Sequence, residues 1–265
     1  MLILLPPSEG KADAGAGRRL DLARLSLPEL NPAREEVLAA LMALSAGGDE
    51  AAALDALGLS AGQRGELARN ARLDRAATAP AGQVYTGVLY EALDLATLPA
   101  PALRAARRSV LISSGLWGAV RLADRIPPYR CPIGARLPRV GALSAYWRRA
   151  LAPAMDAAAG DGLVLDLRSG AYAATWTPRG ERAGRTVTVR VLHERESDGR
   201  VTRTVVSHFN KATKGRLVRD LLLAGARPRS AAGLVTALRD LTYTVEEQPA
   251  TPGRPRQLDV VVTAL

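Results

Sequence analysis

Three lysines stand out in a chain whose other cations are all arginine: Lys11, Lys211 and Lys214. Each falls in a short polar stretch where a regular element should begin or end, which is where scaffolds place binding and catalytic groups. Lys11 closes Pro6-Pro7-Ser8-Glu9-Gly10-Lys11, directly after an apolar opening run. Gly10-Lys11 matches half of a phosphate-binding loop. However, Leu5 stands where the first Gly is required, and Ala12 where a Ser or Thr would hold magnesium. Ser8 and Lys11 also have the Ser-x-x-Lys spacing in which an amine activates a serine nucleophile. Two prolines precede that motif, Gly10 interrupts it, and in place of a Lys-Thr-Gly partner the chain offers only Tyr85-Thr86-Gly87. Contact with an anion is therefore the favoured chemistry of Lys11.

Further polar groups cluster in the same manner. Ser114-Gly115-Leu116-Trp117-Gly118 follows a buried-looking run, and its two glycines would let successive N–H groups converge on an anion. Pro127-Pro128 fixes an extended segment that presents Tyr129 and Arg130, a ring and a guanidinium suited to stacking and phosphate contact. Trp117 either fills the core or adds a second stacking surface. Thr86 is expected to cap a helix starting near Val88, leaving the phenol of Tyr85 at its mouth. Lys211, Lys214 and Arg219 fall on one helix, with the two lysines sharing a face near its positive end, where an anion would relieve their repulsion. If the protein is an enzyme, Lys11, Tyr85 and Lys211 are its candidate catalytic groups.

Other chemistries find less support. His193 and His208 are expected in opposed strands of one hairpin, but no third ligand stands near them, so no metal site is predicted. Cys131 reads as a buried, inert thiol. No cofactor is predicted, although a nucleotide would occupy the site if the protein is an enzyme.

The elements that must hold these groups follow from periodicity. Met1 to Leu5 reads as a buried strand ended by two prolines, and residues 11 to 31 as a surface excursion. From Pro32 to about Arg75 the spacing of Val37, Leu38, Leu41 and Leu44 predicts a helical insertion, which Gly47, Gly48 and Gly58 divide into three short helices. Helices are expected over 88–94 and 101–108, a strand over 109–113, an Ala-rich helix with Tyr146 and Trp147 over 143–159, and a strand over 162–167. Residues 186–209 alternate on both sides of Asp198-Gly199, a strong hairpin signal. Asn210 is expected to cap a helix reaching Ala224, and a helix from Ser230 to Leu241 precedes two alternating strands. The reading is α/β passing into α+β: one mixed-sheet domain over residues 1–265, flanked by helices, with an antiparallel hairpin region towards its end.

A chain of 265 residues can bury a substantial core. Its 36 basic against 26 acidic residues, a formal charge of +10, favour a polyanionic partner or an anionic substrate. One cysteine excludes an internal disulfide, and a five-residue apolar start is too short for a signal peptide or membrane span, so a cytoplasmic protein without a membrane partner is expected.

The ordered set MLILLPPSEGK, VYTG at 84–87, SGLWG at 114–118, PYR at 128–130, YWRRAL at 146–151, LDLRSGAY at 165–172 and FNKATKG at 209–215 resembles the YaaA family of peroxide stress proteins. The resemblance spans nearly the whole chain. It implies a mixed α/β fold, a positively charged cleft, DNA binding and a part in limiting iron-dependent peroxide damage. It also marks Lys11, Tyr85, Thr86, Gly115, Tyr129, Arg130, Lys211 and Lys214 as cleft candidates. The family's helix-hairpin-helix element is matched only loosely, by Gly62-Gln63-Arg64-Gly65, and Trp117 replaces the usual Tyr. Two expectations remain open. In one, the protein binds duplex or partly unpaired DNA through a basic cleft, with Ser114, Trp117 and Arg219 among its contacts. In the other, the same residues close around a nucleotide or another small phosphorylated ligand on which the protein acts.

Overall fold

The computed structural model describes residues 1–197 and 200–263. Eight strands form one mixed sheet: β1 (Leu2–Leu5), β2 (Val110–Ser114), β3 (Gly118–Arg121), β4 (Val164–Asp166), β5 (Thr186–Ser197), β6 (Arg200–Thr204), β7 (Thr244–Glu247) and β8 (Arg256–Val262). The order across the sheet is β7-β8-β5-β4-β1-β2-β3, with β6 paired to the far part of β5. β1 lies parallel to both β2 and β4, Ile3 facing Val110 on one side and Leu165 on the other. β5 is parallel to β4 and to β8, whereas β3, β6 and β7 are antiparallel additions at the margins. Every residue of β1, β2 and β4 is buried, as expected of parallel strands covered on both faces.

The covering helices are α1 (Asn31–Ala46), α2 (Glu50–Leu57), α3 (Gly65–Asn70), α4 (Ala81–Val84), α5 (Val88–Leu93), α6 (Ala100–Ser109), α7 (Leu143–Ala150), α8 (Ala152–Ala159), α9 (Gly170–Ala173), α10 (Glu181–Gly184), α11 (Ser207–Leu223) and α12 (Ala231–Asp240). The expected three-way division of the helical insertion is present, with Gly58 left-handed at φ 60° after α2. This insertion is tied into the sheet by Arg34, which is fully buried. Its guanidinium donates to the carbonyls of Trp117, Ala119 and Ser26 and to the Asn31 side chain, at 2.8–3.1 Å.

Two boundaries differ from those expected in ways that matter for the site. The helix over 143–159 is two, α7 and α8, because Pro153 in the first turn of α8 cannot continue the hydrogen bonds of α7. α11 starts at Ser207, with Val206 as its N-cap, so Asn210 is an interior residue whose N–H donates to the Val206 carbonyl. His208 therefore belongs to α11 and does not face His193, which is opposite Thr204 in the β5–β6 pair. The hairpin itself is present, while its turn at Asp198-Gly199 lies outside the described residues.

Candidate functional site

Beyond the carboxyl ends of β1 and β4 lies a half-open cavity of about 600 Å³. This is where parallel sheets leave a crevice for ligands. Lys11, Thr86, Tyr129, Arg130, Lys211 and Lys214 all line it, so motifs up to two hundred residues apart in sequence meet at one place. All three lysines of the chain are among them.

Backbone pairing assembles the near wall. Lys11 and Tyr85 form an antiparallel bridge, flanked by Ala12 N–H donating to the Val84 carbonyl and Thr86 N–H donating to the Ser8 hydroxyl at 3.0 Å. Tyr90, in the first turn of α5, donates to the Pro6 carbonyl at 2.6 Å and stacks on Tyr85. Tyr129 joins this wall through its hydroxyl, 2.8 Å from that of Tyr85 and 2.6 Å from that of Ser114. The backbone of Arg130 is clamped by Asn70 at the end of α3, which accepts from its N–H and donates to its carbonyl. α11 forms the far wall. It approaches α5 so closely that a Cβ on Gly215 would lie 2.2 Å from the Leu89 carbonyl oxygen. The absence of a side chain there brings Lys211 and Lys214 to the cavity.

The electrostatics follow from the burial of these groups. Lys11 Nζ donates to the carbonyls of Ser8 (2.9 Å) and Glu9 (3.4 Å) and stands 4.3 Å from the centre of the Tyr129 ring. Burial, and then the nearby Arg130 charge, lower its pKa to about 8, against the opposing pull of Cys131, Glu66 and Glu9. Burial likewise lowers Lys214, while Asp166 holds it up. Arg130 pairs with Glu9 at 3.1 Å, but the Glu9 side chain is 86 % exposed, so this pair contributes little and can open. No ion pair is found for Lys11, Lys211 or Lys214 among the described residues. The cavity therefore has a surplus of cations. Burial also pushes the Tyr85 and Cys131 groups up to about 12 and keeps Tyr90, Tyr129 and Tyr172 protonated.

Several expected site residues play other parts. The glycine turn does not form the expected open nest: the N–H groups of Leu116 and Trp117 both donate to the Ser114 hydroxyl, at 3.1 and 2.8 Å. Gly115 is there for close approach, since a Cβ would meet the Cys131 carbonyl oxygen at 2.2 Å. Trp117 is fully buried and packs edge-on to Tyr129, so it offers no stacking surface. Thr86 does not cap α5, whose N-cap is Gly87 with no side-chain bond. Tyr85 is buried behind Lys11 and Tyr129 and is not among the residues lining the cavity. Arg219 is turned away, donating to the Leu93 and Asp94 carbonyls and to the Thr97 hydroxyl. Tyr90, Tyr172, Ser169 and Asn210 line the cavity although none was expected as a site residue. Tyr172 and Asn210 do lie within or beside recognised stretches, whereas Tyr90 is spaced like any core residue of a helix.

Comparison with known proteins shows the family of the chain. A family described as peroxide stress protein YaaA matches residues 1–248. A UPF0246 protein of Streptomyces coelicolor is 61% identical over 263 residues, 99% of this chain and 98% of that one. Proteins of the same designation from Corynebacterium efficiens and Corynebacterium glutamicum are 42% and 41% identical, covering 99% and 94% of this chain and 100% and 96% of theirs. No helix among the described residues is long and apolar enough to cross a membrane.

Proposed function

This chain belongs to the YaaA peroxide stress protein family, and we propose that it acts on a small phosphorylated ligand, of about nucleotide size, held in the cavity between α11 and the Lys11 loop. One observation carries this reading: all three lysines, together with Arg130, converge on one half-open cavity of about 600 Å³. That volume falls within the range of small-molecule sites, while a protein reading only DNA backbone would need its cations spread along a groove. Tyr172, partly exposed in the cavity, supplies a ring for a base or other planar group. Asn210 Oδ1, buried with no partner among the described residues, supplies an acceptor for a ligand N–H or O–H.

The test is a thermal-shift series with inorganic phosphate, nucleoside mono- and diphosphates, single-stranded DNA and duplex DNA. A ligand at a hundred times its Kd stabilises by about 2.7 kcal/mol. The nucleotide or phosphate should raise the wild-type Tm by several degrees and leave a Lys211→Ala, Lys214→Ala double variant unmoved. Stabilisation by duplex DNA alone would overturn this reading.

DNA binding through a basic cleft is the second reading. It is favoured by the α2–α3 pair, which turns at Gly58, leaves Arg64 and Arg72 exposed, and holds the backbone of the cavity residue Arg130 through Asn70. If six to ten phosphates were contacted, affinity would fall roughly a thousandfold or more between about 50 and 200 mM salt. A flat salt response would rule that out.

A further inference from the structure

In a chain that writes arginine at every other cationic position, lysine is retained only around the cavity. Guanidinium would serve a phosphate at least as well, because its planar fork matches the oxygens. What lysine adds is an amine that can lose its proton and become a nucleophile. Of the three, Lys11 has the surroundings for this. Its Nζ lies within reach of two carbonyl oxygens, those of Ser8 at 2.9 Å and Glu9 at 3.4 Å, with the Tyr129 ring 4.3 Å away. A neutral amine has two protons to give to those oxygens, and its lone pair is then left for a third direction. Lys214, by contrast, has one carbonyl at 3.4 Å and Asp166 to hold its charge.

From this geometry we infer that Lys11 forms an imine with the carbonyl group of a phosphorylated aldehyde or ketone, whose phosphate is held by Arg130, Lys211 and Lys214. The inference rests on the small-anion reading of the cavity and specifies its ligand. Burial and the adjacent Arg130 supply the activation: with a pKa of about 8, the amine is unprotonated in roughly a quarter of molecules at pH 7.5, against about one in a thousand for an ordinary lysine. The step balances without a redox partner. The nitrogen lone pair attacks the carbonyl carbon, the carbon–oxygen π pair moves to oxygen, and the nitrogen gives up a proton as the oxygen gains one. The carbinolamine then expels its hydroxyl with a second proton as water, leaving one carbon–nitrogen double bond. Tyr172 lines the cavity, and its phenol is kept protonated, chiefly by burial, so it can donate to the departing hydroxyl.

The experiment treats the full chain at pH 7.5 with glyceraldehyde 3-phosphate and cyanoborohydride, which reduces an imine to a stable amine, followed by intact-mass and peptide analysis. One adduct per chain is expected, on Lys11, forming at least tenfold faster than on Lys211 or Lys214 and suppressed by inorganic phosphate. Lys11→Arg should abolish it while keeping the unfolding profile. Lys211→Ala, which keeps Lys11, should slow labelling by the phosphorylated probe several-fold and leave labelling by glyceraldehyde unchanged. The rate should climb with pH up to about 8, since Lys11 is the titrating group among Arg130, Cys131, Glu66, Glu9 and the buried phenols of Tyr85 and Tyr129. Equal labelling of all three lysines, or none at Lys11, overturns the inference. If phosphate still raises the Tm in that case, the cavity reading stands without the imine; if it does not, both fall.

Discussion

Replacing Lys11 by Met should stabilise the protein at neutral pH, and by an amount that shrinks as the solution becomes alkaline. Lys11 has a pKa of about 8 in the folded chain against 10.5 for the free side chain. At about 1.36 kcal/mol per unit, that difference is an upper limit of roughly 3 kcal/mol of strain when the group is charged. Lys11 is part-exposed, so solvent screening reduces the figure, and the bonds to the Ser8 and Glu9 carbonyls offset some of it. A net gain of about 1–2 kcal/mol for Lys11→Met at pH 7 is therefore expected.

The sign of the pH dependence is fixed by proton counts. Between about pH 8 and 10.5 the folded chain binds fewer protons at Lys11 than the unfolded chain does, so its contribution to stability rises with pH across that window. Below about pH 8 the full penalty applies. By about pH 10 it should have fallen to less than about 1 kcal/mol. Urea unfolding of both proteins at pH 7, 8.5 and 10 measures this, because titrations shared by the two cancel in the difference. Ten millimolar phosphate at pH 7 should stabilise both proteins, since Arg130, Lys211 and Lys214 line the cavity in each. A variant that is less stable at pH 7, or a gap that stays constant or widens with pH, would refute a desolvated Lys11.

Gly115→Ala should destabilise the fold by about 1–3 kcal/mol in urea unfolding and weaken phosphate binding, since the new Cβ would displace the Cys131 carbonyl and with it the segment carrying Arg130. Arg34→Leu should cost about 3–5 kcal/mol by leaving the Trp117 and Ala119 carbonyls without a donor beneath the site, read as a fall in Tm. Cys131 should react with a thiol reagent only at the rate of global unfolding at pH 8, because burial pushes its thiol up to about 12; rapid labelling of the folded protein would contradict this.

The sequence revealed elements better than directions. Strands such as Leu2–Leu5 and Thr186–Ser197 and helices such as Asn31–Ala46 were legible because burial imposes a period of its own on each kind of element. Membership of the cavity was legible for Lys11, Arg130, Lys211 and Lys214, since each lies in a polar stretch at an element end. Which way a side chain or N–H points was not. Ser114-Gly115-Leu116-Trp117-Gly118 looked like an open anion nest, yet Ser114 occupies its N–H groups, a local bond that no spacing rule distinguishes from a ligand's. Arg219 shares a helix with both cavity lysines, and only the packing of α11 on α5 turns it towards Leu93 and Asp94. Asn210 has the residue type of an N-cap, but α11 begins a turn earlier, which places its side chain at the cavity.

The division between the two kinds of cation makes the strongest case that the cavity is chemical as well as adhesive. Arg34 and Arg168 hold several carbonyl or carboxylate oxygens each from fully or nearly fully buried positions, a task that needs a permanent charge and a rigid fork. Arg219 does the same at the edge of α11. If the cavity only gripped phosphate, arginine would be the better residue there too, and a chain this rich in arginine had every opportunity to place it. Converting Lys11, Lys211 and Lys214 to Arg one at a time separates the two purposes. Arginine at 211 or 214 should preserve phosphate binding and imine trapping within a few-fold, whereas arginine at 11 should preserve phosphate binding and abolish trapping. Should arginine at 11 leave trapping intact, the amine that reacts lies elsewhere, and the retention of lysine at this position has no chemical meaning.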